Sequence, residues 1–89
     1  MTYRIQRQVE PDAIVFVLSG ELDADHSAQL EELLKVEEAN RVWVDLKDVT
    51  LVDRTGVRFL VRVDGAGIAL VNCPDYIRRW IDAEQSVDR

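Results

Sequence analysis

One cysteine, one histidine and no apolar run longer than six residues leave this 89-residue chain short of what most site chemistry requires. A lone cysteine, Cys73, cannot close an internal disulfide and points to a reducing, cytoplasmic compartment. His26 has no second ligand-type residue at metal spacing, so neither a metal nor a cofactor is expected. A Walker loop, a paired-glycine dinucleotide fingerprint and a nucleophile elbow are all missing. The close glycines of Gly65-Ala66-Gly67 follow a helical pattern instead of opening one, and read as a helix stop. Basic residues are scarce as well. Eleven Lys and Arg stand against seventeen Asp and Glu, a net charge of −6, which excludes the positive footprint that nucleic acid or an anionic membrane surface demands. The run from Ala13 to Leu18 is too short to cross a membrane, and Met1 to Arg7 has no apolar signal core. An enzyme is the least expected class.

What is present is a globular composition, 47% hydrophobic and 31% charged, in a chain long enough for one domain over residues 1–89. Residues 2–9 alternate, with Tyr3, Ile5 and Val9 on one side, as in a half-exposed edge strand. Glu10-Pro11-Asp12 supplies a turn. Residues 13–19 form an apolar, β-branched run suited to a central strand that Gly20 ends. From about Asp25 the period becomes helical, with Leu30, Leu33 and Leu34 on one face. Asp23 or Asp25 can cap the helix start, and Asn40 suits its exit. Residues 41–46 return to period two, with Val42, Val44 and Leu46 inward and Arg41, Trp43 and Asp45 outward. A second helix is expected over about 55–64, capped by Asp53, with Val57, Leu60 and Val61 facing the core. Ile68 to Val71 make a last strand. Pro74 suits the first position of a final helix whose buried stripe is Ile77, Trp80 and Ile81, with fraying over 84–89.

The expected order is β-β-α-β-α-β-α: an α/β fold with a single mixed sheet of about four strands and helices mainly on one face. On that face Ile14, Phe16, Leu18, Val42, Val44, Leu46, Ile68 and Leu70 should meet Leu30, Leu33, Leu60, Val61, Ile77 and Trp80. The opposite face should carry Val15, Val17, Trp43 and Val71, more apolar surface than a fully wet face needs, which predicts partial cover or self-association there.

Two segments go beyond pattern. Gly20-Glu21-Leu22-Asp23 closes a hydrophobic strand before a helix, and Val44-Asp45-Leu46 runs through to Asp53-Arg54-Thr55-Gly56-Val57. In this order they resemble the STAS domain of bacterial anti-sigma factor antagonists, whose second segment reads Asp-Ser-(Ser/Thr)-Gly at a helix start. Gly67 to Asn72 and the closing helix also look like that family's end. The resemblance implies a non-enzymatic regulatory module that docks a kinase-like anti-sigma factor and is released when the serine is phosphorylated. A phosphoryl group there would add about −1.5 to −2 charges at the helix start. This chain departs from the pattern at that position: it has Arg54, which accepts no phosphate and carries the opposite charge. Thr55 keeps a hydroxyl at the family's second position and is the remaining weak candidate acceptor.

The resemblance therefore implies a docking set of Asp23, Asp53, Arg54, Thr55, Gly56 and Arg58 without the usual serine switch. Each residue also has a plain structural reading. Asp23 and Asp53 suit helix caps, and Gly56 suits either close packing in the first turn or room for a partner backbone. Arg54, Arg58 and Arg62 recur every fourth residue, as a solvated face paired with Asp23, Asp53 or Asp64 or as a basic stripe for an acidic partner. His26 and Cys73 read as packing or capping residues, and Tyr76 and Trp80 as core. The other known use of a lone STAS domain, an accessory subunit of a lipid-transporting ABC ATPase, needs no phosphorylatable serine and stands as the alternative; a scaffold role in a larger signalling assembly is a third. The module is expected to be a monomer or weak homodimer.

Overall fold

The computed structural model describes residues 3–38 and 41–87. The elements follow the expected order: β1 (Tyr3–Val9), β2 (Ile14–Leu22), α1 (Ala24–Leu34), β3 (Val42–Val52), α2 (Arg54–Gly65), β4 (Ala69–Val71) and α3 (Asp75–Val87). The strands lie side by side in chain order, β1 antiparallel to β2 and the others parallel, in a mixed four-stranded sheet. A tight turn can join only antiparallel neighbours, so Glu10-Pro11-Asp12 makes the hairpin, and each parallel step is bridged by a helix.

Paired residues share a face, which sets the register. Ile5, Leu18, Phe16, Val44 and Leu70 lie on the side where Leu30 of α1, Leu60 of α2 and Ile77 of α3 join one hydrophobic cluster. The expected strand residues Ile14, Phe16, Leu18, Val42, Val44, Leu46, Ile68 and Leu70 all contribute to it. Gly20, expected to end the second strand, lies inside β2 with φ +86°, at one of two register shifts against β3. That conformation suits a residue without Cβ, and the bulge lets β2 run on to Leu22.

The helices depart from expectation at their flanks. In α1 the buried positions are His26, Ser27 and Leu30, with Leu34 partly buried, while Leu33 is 41% exposed. The His26 ring stacks on Tyr3 with centroids 4.3 Å apart and hydrogen-bonds the Glu21 carbonyl through Nδ1 at 2.8 Å. This fixes the rotation of α1 and turns Leu33 outward. In α3 the stripe is Ile77 and Ile81, both fully buried, and Trp80 is 50% exposed. Both misassigned residues sit three positions after a buried one, where the contact follows the i, i+4 row instead. Tyr76, expected in the core, is exposed too. In α2, Phe59 and Val63 join Val57 and Leu60 in the core, and Val61 is only partly buried. That helix stops after Gly65, where the Ala66 N–H reaches the Arg62 carbonyl at 3.0 Å and Gly67 takes φ +92°. The α3 helix runs to Val87 where fraying from residue 84 was expected, with the Pro74 carbonyl accepting from the Ile77 and Arg78 N–H groups. Asn40, the expected exit of α1, lies outside the described residues, and that helix ends at Leu34.

No helix packs on the other sheet face among the described residues, yet Val15 and Val17 are buried. The register flanks Val15 with Gln8 and Trp43, and Val17 with Gln6 and Asp45, on the same face. Trp43 itself stays half exposed. Asp45 points to this face as expected but is buried, because its carboxylate accepts from the Lys47 N–H at 2.9 Å and from the Asn72 amide at 3.2 Å.

Candidate functional site

The parallel register brings together the two segments that the sequence singled out. Leu22 pairs with Val52, so β2 and β3 end side by side and α1 and α2 both start at the same edge of the sheet. Each start is capped by an aspartate. Asp23 accepts from the His26 N–H at 3.0 Å, and Asp53 accepts from the Gly56 N–H at 2.8 Å. Of the two caps considered for α1, Asp23 is the one used and Asp25 follows it in the first turn. Two helix N-termini at one sheet edge concentrate positive backbone dipole there, and each carboxylate offsets part of it.

Gly56 packs closely in the first turn of α2. The Asp53 N–H donates to the Leu22 carbonyl at 3.3 Å, which draws the first turn of α2 onto the end of β2. A Cβ at Gly56 would collide with that carbonyl oxygen and lie 2.8 Å from Val52 Cγ2. The glycine is therefore required by the chain's own backbone.

The hydroxyl and the arginines sit on the open side of this turn. Arg54, Thr55 and Arg58 are all exposed. Arg58 Nε donates to Glu84 of α3 at 3.2 Å, not to the aspartates expected from spacing. The Arg62 guanidinium lies 5.7 Å from the centre of the Phe59 ring, while Asp64 accepts from the Gln85 amide. Among the described residues Arg54 has no ion pair or hydrogen bond through its side chain. Beside it, Asp53, Arg54, Val57, Trp80, Ala83 and Glu84 line a groove of about 550 Å³ between α2 and α3. Helical spacing alone assigned Trp80 to the core, whereas it lines this groove. The signal that could have found it is its place three residues after Ile77, off the i, i+4 row.

Cys73 is half-buried between β4 and α3, and burial pushes its thiol up from the ordinary value, with Arg78 opposing. His26 is a buried packing residue, as expected. Among the described residues no group of His, Cys, Asp and Glu could hold a metal ion, and no helix is long and apolar enough to cross a membrane.

A family model described as the Mlab STAS domain matches residues 5–83. No curated protein sequence matches the chain. Among solved structures, the unphosphorylated anti-sigma factor antagonist SpoIIAA is similar at a TM-score of 0.66 and 16% identity, over 99% of this chain and 96% of that one. An anti-sigma factor antagonist STAS domain from Rhodobacter sphaeroides is similar at 0.53 and 13%, over 79% of this chain and 86% of that one. A structure of Mglu matches at 0.63 and 19% over 79% of this chain, which spans only 19% of the Mglu chain. At these identities the structural likeness establishes the fold.

Proposed function

The chain belongs to the STAS domain family, and from that premise we propose that it is a regulatory docking module whose binding surface is the start of α2 and which works without a serine switch. Its partner is a kinase-like anti-sigma factor of the class that the antagonist-like fold brings to mind. One observation carries the reading: at the exposed head of α2, next to the cap Asp53, stands an arginine with no side-chain partner among the described residues, where the family's pattern has a phosphorylatable serine. A cation in the first turn opposes the helix dipole at a cost of about 0.3–1 kcal/mol. A charge held at that cost and not neutralised by the described residues suits a carboxylate brought by another molecule. Asp23, Asp53 and Gly56 shape the turn, while Arg54, Thr55 and Arg58 meet the partner.

A second reading is favoured by the same arginine. An accessory subunit bound to the ATPase of a lipid-transporting ABC system needs no acceptor hydroxyl. The two readings share the docking surface and differ in the partner.

Binding to a purified kinase-like anti-sigma factor and to a purified ABC ATPase, measured calorimetrically for the native chain and two variants, tests the proposal. Thr55→Ala should weaken binding by about 0.5–1.5 kcal/mol, the loss of one hydrogen bond. Arg54→Glu should weaken it further and reduce its salt sensitivity, because a favourable charge contact is reversed. Binding indifferent to both substitutions would move the interface elsewhere.

A further inference from the structure

The groove beside the head of α2 gives the partner a chemistry. Its floor and one wall are apolar: Val57 lies at the bottom, and Trp80 stands half exposed with Ala83 one turn on. Its rim is charged unequally. Glu84 is engaged by Arg58 and Asp53 by the Gly56 N–H, whereas Arg54 has no side-chain partner among the described residues. The lining carboxylates Asp53 and Glu84 are both engaged, which leaves the Arg54 guanidinium as the rim's unpartnered charged group among the described residues, on a chain whose net charge is −6. A large aromatic side chain held open on a helix next to an exposed guanidinium matches the residue types that dominate binding energy in interfaces.

We propose that this groove between α2 and α3 takes a short partner segment that inserts an apolar side chain against Trp80 and Val57 and sets a carboxylate on Arg54. The proposal rests on the docking reading above and adds to it the half of the surface that α3 supplies. Arg54 then selects for acidic character, and Trp80 supplies contact area, since an indole can be covered at little cost in side-chain entropy. The Arg58–Glu84 pair bridges the two helices beside the groove.

The test is a selection of peptides from a random dodecapeptide phage library on the purified native chain, followed by affinities of the enriched synthetic peptides. Enriched sequences should combine a Leu, Ile, Phe or Met with a nearby Asp or Glu. Trp80→Ala and Arg54→Glu should each weaken their binding at least tenfold, while Gln6→Ala on the bare sheet face should leave it unchanged. In a Trp43→Phe background Trp80 is the sole tryptophan, and its emission should shift to shorter wavelength as peptide is added. Both site residues are exposed, so amide NMR spectra of the variants should remain those of a folded chain. Peptides that lose affinity on Arg54→Glu but not on Trp80→Ala would overturn the groove while leaving the α2 docking surface standing. Peptides insensitive to both would overturn the two together, as would enrichment of Lys and Arg. Sedimentation of the native chain alone should show no dimer that Trp80→Ala abolishes; such a dimer would give the groove to a second copy and overturn the proposal.

Discussion

At the residue scale the head of α2 separates groups that build the turn from groups that face outward. Gly56 and Asp53 build it. A methyl at position 56 has nowhere to go, since the obstacle is the backbone carbonyl of Leu22 and the nearby Val52. Gly56→Ala should therefore destabilise the fold by about 1–3 kcal/mol or more, although alanine is the better helix former. Urea unfolding measures this, and a stabilised variant would contradict the packing. Asp53→Ala removes only the cap and should cost about 0.5–2 kcal/mol by the same measurement. Cys73 offers a check of a different kind. Burial holds its thiol protonated, so it should react with a disulfide reagent at neutral pH more slowly in the folded chain than in urea. Equal rates would place the sulfur in open water.

At the element scale the sequence carried the strands and the helix starts well. Period-two alternation and β-branched runs located all four strands, because a residue's face in a sheet follows directly from its parity. Helix rotation was less readable. Leu33 and Trp80 fit an apolar stripe by spacing alone. What turned them outward is tertiary: His26 stacked on Tyr3 in α1, and the Ile77–Ile81 row of α3 seated on the sheet. The lengths of β2 and β3 were also hidden: glycine as a strand end and glycine as a bulge look alike in one dimension, and β3, expected over 41–46, runs on to Val52. The site followed the same division. The two capping aspartates could be found from turn chemistry, while the Arg58–Glu84 pair and the groove beside Trp80 need the packing of α3 on α2. Truncation should report the rotation directly. Leu60→Ala, from a fully buried position, should cost about 2–5 kcal/mol, and Leu33→Ala no more than about 1 kcal/mol. Similar costs in denaturant unfolding would mean that α1 is rotated from the position described.

At the scale of the whole molecule, the two sheet faces and the edge of helix starts divide the work. One face holds the core under three helices, and on the other Val15 and Val17 are buried, flanked in the register by neighbouring strand residues. That burial removes most of the reason for self-association through the bare face, and Arg4, Gln6 and Gln8 line its outer strand. Sedimentation at micromolar concentration should show a monomer; a dimer disrupted by Trp43→Ala would mean that the exposed indole still recruits a second copy. The helix-start edge carries the exposed Arg54 and Thr55, and the proposed docking there has no serine to be phosphorylated. The most direct test incubates the chain with a kinase-like anti-sigma factor and ATP, then measures intact mass alongside complex formation. The account predicts a stable complex and an unchanged mass, whereas an added phosphate on Thr55 would contradict it by making that threonine the switch.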